Sequence, residues 1–306
     1  MLNKPTVTVA ISAYNEEKNI KNFLESVLAQ KEMGFAIEAI WIFSDGSTDK
    51  TVSTIKSLKD KRIKVFEDKV RRGKSGRLNQ IYSKLESDIL IQSDADVIFA
   101  HPYVVYDIIQ PLLKKTAVGM CGGNPIPLTG ETFTEKAVNC TVNSFLPLRK
   151  TLRGGNNIFS VDGRILAYKK ELVKKMHIPE DMIANDAFTY FLCLTKGYEY
   201  RFVENAVVNF RSPQNLADHI KQNTRFKAAR LRMYKYFPDT LVRHEQNIPK
   251  GILLKNQLTQ YLKHPILCIY IFFVNKYCKY KAYKNEENMD ALWKMAWSSK
   301  LLVKNN

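Results

Sequence analysis

Two aspartates one residue apart, in Gln92-Ser93-Asp94-Ala95-Asp96, follow directly on an apolar run at 89–91. Carboxylates at i and i+2 leaving a strand together supply hard oxygen ligands. Mg²⁺ or Mn²⁺ is commonly held by one or two such carboxylates plus the oxygens of a phosphorylated substrate. The spacing is common; the place at the tip of an apolar strand is not. Ser44-Asp45-Gly46-Ser47-Thr48-Asp49 sets a carboxylate at a strand end before a tight turn, which suits a base or ribose contact, or else is an ordinary Asp-Gly turn. Ser12-Ala13-Tyr14-Asn15-Glu16-Glu17 reads as a strand exit into a helix capped by Asn15. Arg71-Arg72-Gly73-Lys74-Ser75-Gly76-Arg77 lacks the spacing of a phosphate loop. Its backbone N–H groups at a helix start could still hold an anion, unless the run is a solvated charge patch. Asn185-Asp186 opens a further helix, and Gln222 and Arg225 share a helix face at i and i+3. Arginine there suits bidentate phosphate recognition. His101 and His219 have no metal-ligand partner at helical or short-loop spacing and read as structural.

Elements must position these groups. Apolar, β-branched runs at 6–12, 37–43, 63–66 and 88–92 alternate with helical patterns beginning near 15, 48 and 74. The first helix places Ile20, Phe23, Leu24, Val27 and Leu28 on one face. Such alternation predicts a parallel sheet with helices on both faces, and these sheets bind ligands at the carboxyl ends of their strands. The ends fall just after Ser12, Phe43 and Gln92, beside the carboxylates. Further on, the sequence predicts a Gly-, Asn- and Pro-rich loop at 122–129, helices at 131–146, 186–195 and 215–236, a flexible stretch at 153–157 and a strand at 165–168.

The 306 residues, 45% apolar, suffice for one large α/β core and an appendage. The net charge of +17 is concentrated at the C-terminal side, where residues 211–306 carry 18 Lys/Arg against 6 Asp/Glu. That face could meet an anionic membrane, nucleic acid or a phosphorylated substrate. Apolar stretches at 252–262 and 265–274 are shorter than the roughly 20 residues of a membrane-spanning helix. Lys276, Lys279, Lys281 and Lys284 follow, interleaved with Tyr277, Tyr280 and Tyr283. This pattern describes a segment lying in a membrane interface, the alternative being helices packed on the catalytic domain. A last helix over 288–303 is expected, with Trp293 and Trp297 one turn apart. No nucleic-acid motif accompanies the basic region. Five cysteines without a C-x-x-C pair argue against a disulfide framework or structural zinc and fit a reducing cytosol, and no signal-peptide pattern opens the chain.

Taken in order, A-Y-N-E-E, S-D-G-S-T-D, G-K-S-G-R-L-N, D-A-D, the Asn-Asp pair and Q-x-x-R-F resemble the family-2 glycosyltransferases of GT-A fold, over residues 7–230. The resemblance implies a single α/β GT-A domain over 1–237 with a mostly parallel central sheet, followed by a basic, apolar helical region over 238–306. It implies inverting transfer of a sugar from a nucleotide-diphosphate donor, UDP-linked, to a hydroxyl of a glycan or lipid-linked acceptor. Asp186 would be the base, Asp96 the ligand of a divalent Mn or Mg ion, and Ala13, Glu16, Asp45, Lys74, Gly76, Asp94, Gln222 and Arg225 would contact the donor. Gly122, Gly123, Asn185 and Phe226 would lie on the acceptor side. The chain departs from the family where Asn185 replaces a glutamate and Phe226 a tryptophan. The expected setting is cytoplasmic, peripheral on a membrane face. The competing readings are a non-catalytic nucleotide-sugar-binding protein and a nucleotidyltransferase, which would release pyrophosphate.

Overall fold

A computed structural model of the protein describes residues 4–289, 292 and 295–302. Strands β1 (Thr6–Ala13), β2 (Ala36–Asp45), β3 (Ile63–Asp68), β4 (Ile89–Ser93), β5 (Val97–Phe99), β6 (Val118–Pro127), β7 (Ile165–Lys169) and β8 (Glu199–Phe210) form one sheet in the order β3-β2-β1-β4-β7-β6-β8-β5. The β3-β2-β1-β4 half is parallel, as is the β6–β8 pair; β7 runs antiparallel to β4 and β6, and β5 to β8. The helices are α1 (Ile20–Leu28), α2 (Thr51–Ser57), α3 (Gly73–Lys84), α4 (Val104–Lys114), α5 (Phe133–Thr151), α6 (Lys170–Val173), α7 (Asn185–Thr195), α8 (Leu216–Arg232), α9 (Asp239–Gln246), α10 (Lys250–Lys263) and α11 (Pro265–Asn285).

Strand periodicity splits the core into two layers. Val7, Val9 and Ile11 of β1 pack with Ile20, Phe23 and Leu24 of α1 and Val105 and Ile108 of α4. Ala10, Trp41 and Phe43 face the other way, toward Leu78 and Ile81 of α3 and Phe188 and Phe191 of α7. Because β2, β1 and β4 are parallel neighbours, their carboxyl ends lie side by side.

Four local expectations change. Residues 122–129, read as a loop, largely belong to β6: Gly119, Gly122 and Gly123 have no Cβ, so Tyr198, Tyr200 and Ile165 close tightly on that strand. Helix α1 starts at Ile20 rather than at Asn15. Asn15 is left-handed (φ 52°), and its Oδ1 accepts the Thr48 N–H at 2.8 Å, tying two strand-end loops together. Residues 153–157 form short 3₁₀ turns, with left-handed Arg153 and Gly154 held by Arg153 donating to the His244 carbonyl at 2.7 Å and to Glu245. In place of a last helix over 288–303, the described residues show one 3₁₀ turn, Trp297–Ser299; Trp293 lies outside the described residues.

The region after residue 237 folds back onto α5 and α8. Helix α11 packs on α8 and α5, with Ala282 against Ala228 and Ala229, and Ile271 against Ala137 and Val138. Asn275 of α11 bonds His219 (3.0 Å), Asn223 (2.5 Å) and Thr141 (3.3 Å), joining three helices through one amide.

Candidate active site

A cleft of about 820 Å³ opens at the strand ends. Its floor is the exit of β4. Backbone pairing sets Ser93 against Ile165, so Asp94 and Asp96 leave β4 beside the turn that enters β7. Ser93 Oγ donates to the Arg164 carbonyl at 2.6 Å. The turn itself carries Asp162, Gly163 and Arg164: Arg164 donates to both Asp162 oxygens at 3.1 and 3.0 Å and stacks on Phe210, its guanidinium 3.6 Å from the ring centroid.

Asp186, in the first turn of α7, meets that turn from the other side. Its Oδ2 accepts the Gly163 N–H at 3.2 Å and its Oδ1 the Ala187 N–H at 2.9 Å. A Cβ on Gly163 would stand 3.4 Å from Lys74 Nζ and 3.6 Å from Asp186 Cβ. Lys74 in turn pairs with Asp94. Gly163 thus lies between the base position and the lysine that grips the first aspartate of the pair. Asp94, Asp96 and Asp186 line one cleft, together with Glu16, Asp45, Lys74, Asn185, Gln222, Arg225 and Phe226.

Charge organises the cleft. Burial raises the Asp186 carboxyl above the ordinary range and the nearby Asp162 adds to this, opposed by the Ala187 N–H, Lys74 and Arg225. Asp96 is also raised, by burial first and then by Asp94, against Lys300, Arg164 and Lys74. Burial lowers Arg225 to about 10, still cationic at neutral pH, with Asp186 and Asp94 its nearest anionic influences. Asn185, where a second carboxylate is usual, accepts from Ser75 Oγ at 3.0 Å. A neutral amide there spares Asp186 a like charge next to it.

Asp45 has a structural task as well as a place in the cleft. It is almost fully buried and accepts the Arg72 N–H (2.7 Å), the Gly73 N–H (2.9 Å) and Arg77 Nε (2.8 Å). The first N–H groups of α3 are therefore answered by a protein carboxylate, the partner that a helix N-terminus favours. The anion rest expected at residues 71–77 is in this respect already filled from within. Gly73, at φ 76°, makes the turn that aims its N–H at Asp45.

Lys300 escaped the sequence reading. Its ammonium pairs with Glu16, donates to the Tyr14 carbonyl at 3.0 Å and is one of the cations opposing the shift on Asp96. Burial pushes the Glu16 carboxyl up to about 7 despite that partner. The strap at 295–302 is fastened on both sides of the cleft. Asn19 Nδ2 donates to the Lys300 carbonyl at 2.9 Å, while the Ser298 N–H donates to Asp218 at 2.9 Å and Gln214 donates to the Ser298 carbonyl. Asp162, Gly163, Arg164 and Arg149 were missed too. The signal of the first three, an Asp-Gly-Arg turn before a strand, acquires meaning only once β7 is known to pair with β4.

The Glycosyl transferase family 2 profile matches residues 8–176, from β1 through the carboxylate pair to the end of α6. The chain belongs to that family. Within family 2 it is 27% identical over 225 residues to the poly-beta-1,6-N-acetyl-D-glucosamine synthase of Staphylococcus aureus (strain COL), covering 72% of this chain and 53% of that protein. It is 30% identical over 119 residues to the beta-monoglucosyldiacylglycerol synthase of Nostoc sp., covering 38% of this chain and 25% of that protein. The match thus spans about half the length of the Staphylococcus aureus synthase and a quarter of the Nostoc one. Among solved structures, the mannosyltransferase PcManGT of Pyrobaculum calidifontis, in complex with GDP-Man and Mn²⁺, superposes with a TM-score of 0.67 at 16% identity, covering 94% of this chain and 88% of that one. The glucosyl-3-phosphoglycerate synthase of Mycobacterium tuberculosis, with Mn²⁺, UDP and glucosyl-3-phosphoglycerate, gives 0.51 at 16% identity, over 76% and 79%. These likenesses establish the GT-A fold.

In this family-2 chain four expected site residues fall outside the cleft lining. Ala13 is fully buried under the end of β1. Gly76 lies within α3 with its α-carbon face against Arg72. Gly122 and Gly123 are interior to β6, where an added Cβ would run into the Tyr200 hydroxyl and, at 2.5 Å, the Ala206 carbonyl oxygen. Glycine is needed at these two positions for strand packing rather than for an acceptor.

For a divalent ion the residues fit. Among the described residues no three His, Cys, Asp or Glu side chains are placed to hold an ion between them, so protein ligands alone would not complete its shell. Asp94 and Asp96, both half-buried at the end of β4 and lining the cleft, offer hard oxygens suited to a divalent cation that takes its other ligands from a diphosphate and water.

Proposed function

We propose that the protein is an inverting glycosyltransferase moving a sugar from a nucleoside-diphosphate donor, UDP-linked, to a hydroxyl acceptor, with Asp186 as general base. The observation that carries this reading is the convergence of Asp94, Asp96 and Asp186 on one cleft, linked through Lys74 and Gly163. Inversion needs one base and one leaving group. Asp186, with its proton affinity raised, takes the proton from the attacking hydroxyl. Arg225, Lys74 and Lys300 supply fixed positive charge where negative charge develops on the departing diphosphate. A Mn²⁺ or Mg²⁺ ion held by Asp96, with Asp94 beside it, would supply Lewis-acid neutralisation of that diphosphate. Gln222 and Phe226, on the cleft-facing side of α8, are assigned to framing donor and acceptor.

The acceptor is proposed to be a glycan or a lipid-linked sugar met at a cytoplasmic membrane face. Supporting this, α10 and α11 leave Leu254, Leu258, Leu262, Ile266, Ile269 and Phe273 exposed, flanked by Tyr277, Tyr280, Lys276 and Lys279. No described helix is long and apolar enough to cross a membrane. An exposed apolar stripe with interfacial aromatics and lysines suits peripheral contact with an anionic bilayer. The decisive experiment incubates the protein with a panel of nucleotide sugars, with MnCl₂ or with EDTA, and identifies the products. Metal-stimulated release of a nucleoside diphosphate is expected; pyrophosphate release would select nucleotidyl transfer, and donor binding without turnover would select a non-catalytic role.

A further inference from the structure

Beyond the carboxylates the cleft continues between α5, α8 and α11. Val138, Thr141, Val142, Phe145 and Arg149 form one stripe of α5 facing it, at the i, i+3, i+4, i+7, i+11 spacing of a single helix face. Phe145 and Phe159 stand with ring centroids 6.4 Å apart and make an apolar wall. Opposite lie Lys227 and Arg230 of α8 and Lys281 of α11, all lining the same cleft. Arg230 rests over the Phe159 ring at 5.4 Å from its centroid.

Among the described residues none of these three cations has a carboxylate partner; the acids of this side are spoken for, Glu286 by Arg232 and Glu245 by Arg153. Lys227 is half-buried, and burial followed by the neighbouring Arg230 lowers it to about 8. Arg149 is half-buried and pairs with Asp162 at 3.5 Å, while among the described residues its Nε and Nη1 find no hydrogen-bond partner. Arg230 and Lys281 are exposed at the rim of the lobe and Lys227 is half-buried, so the three present positive charge to whatever enters beside the apolar wall.

We propose that this lobe binds a phosphate-bearing acceptor, its phosphate held by Lys227, Arg230 and Lys281 and its apolar part laid against Phe145 and Phe159. The proposal rests on the reading of the cleft as a sugar-transfer site and assigns the chemical class of its acceptor. An amphiphile with a phosphate headgroup and a soluble phosphate ester share the chemistry. The apolar wall and the exposed face of α11 favour the amphiphile.

Calorimetric titration of the full chain with three probes tests this: monomeric dihexanoyl phosphatidic acid, dihexanoyl phosphatidylcholine and inorganic phosphate. Phosphatidic acid is expected to bind, with phosphatidylcholine at least about tenfold weaker, and Lys227→Gln or Lys281→Gln to weaken phosphatidic acid by about tenfold each. Equal binding of inorganic phosphate and phosphatidic acid, lost in the same variants, keeps the phosphate site and makes its natural source a soluble ester. No phosphate-dependent binding, or binding indifferent to both substitutions in variants that keep the wild-type melting temperature, overturns the proposal. Binding of UDP with MnCl₂, measured in parallel, reports on the donor side. Its absence beside intact phosphatidic acid binding would remove the transferase reading and leave this lobe an anion site.

Discussion

At the scale of residues, the cleft separates groups that act from groups that hold. Asp186→Asn keeps the shape of α7 and its N–H contacts but removes the base, so transfer should fall by roughly 10²–10⁴-fold with donor affinity unchanged; single-turnover assays beside donor titrations check both halves. Because burial raises the Asp186 carboxyl, its deprotonated, working form is lost as pH falls through a value above the ordinary carboxylate range. The acid limb of kcat/KM should therefore lie higher than an exposed aspartate would place it, and should vanish from the residual activity of Asp186→Asn. Asp94, Asp96, Asp186, Gln222 and Arg225 were legible in the sequence because their chemistry and their position at element ends agree. Lys300 was not: 284 residues separate it from Glu16, and a lone lysine in a basic tail carries no local sign of a distant partner. Asp45 was legible only in part. It lines the cleft as expected, but its three donors also make it the anchor of α3, so it cannot be replaced without leaving Arg77 buried and short of a partner.

At the scale of elements, the parallel half of the sheet could be read from alternating patterns, whereas β5, β6 and β8 could not. The β6 sequence Gly-Met-Cys-Gly-Gly-Asn-Pro has a loop's composition, and only the side chains of β7 and β8 explain why it is a strand. Gly122→Ala should cost about 1–3 kcal/mol through overpacking against Tyr200, whose hydroxyl donates to the Ser160 carbonyl at 3.0 Å; chemical denaturation should show the loss with the metal and donor requirements unaltered. The strap at 295–302 allows a sharper test. Lys300→Met leaves Glu16 buried without its partner and should lower both the melting temperature and nucleotide affinity, the latter by about tenfold. Adding Glu16→Gln should restore much of the melting temperature but not the affinity. Recovery of both would reduce Lys300 to a fastening.

At the scale of the molecule, exposed lysines and exposed apolar side chains share the same two helices, α10 and α11. The flotation of protein with vesicles of phosphatidylcholine and phosphatidylglycerol should exceed that with phosphatidylcholine alone, weaken as salt rises, and drop when Leu258 and Phe273, 56% and 64% exposed, are both changed to Glu. Salt-insensitive or lipid-independent recovery would argue that this face meets another protein. The sequence foretold the two apolar stretches and their lysines and left their packing on the domain as an alternative, but it did not name α5 and α8 as the partners, since the amide ladder through Asn275 joins residues far apart in the chain. The clasp of Lys300 on Glu16 and Asn19 also bears on how the molecule is made. The first strand and helix emerge from the ribosome early, yet their pocket stays unsealed until residue 300 has cleared the exit tunnel. Nucleotide capture by a nascent or C-terminally clipped chain would then be weak, and tight capture would mark a polypeptide that has finished folding.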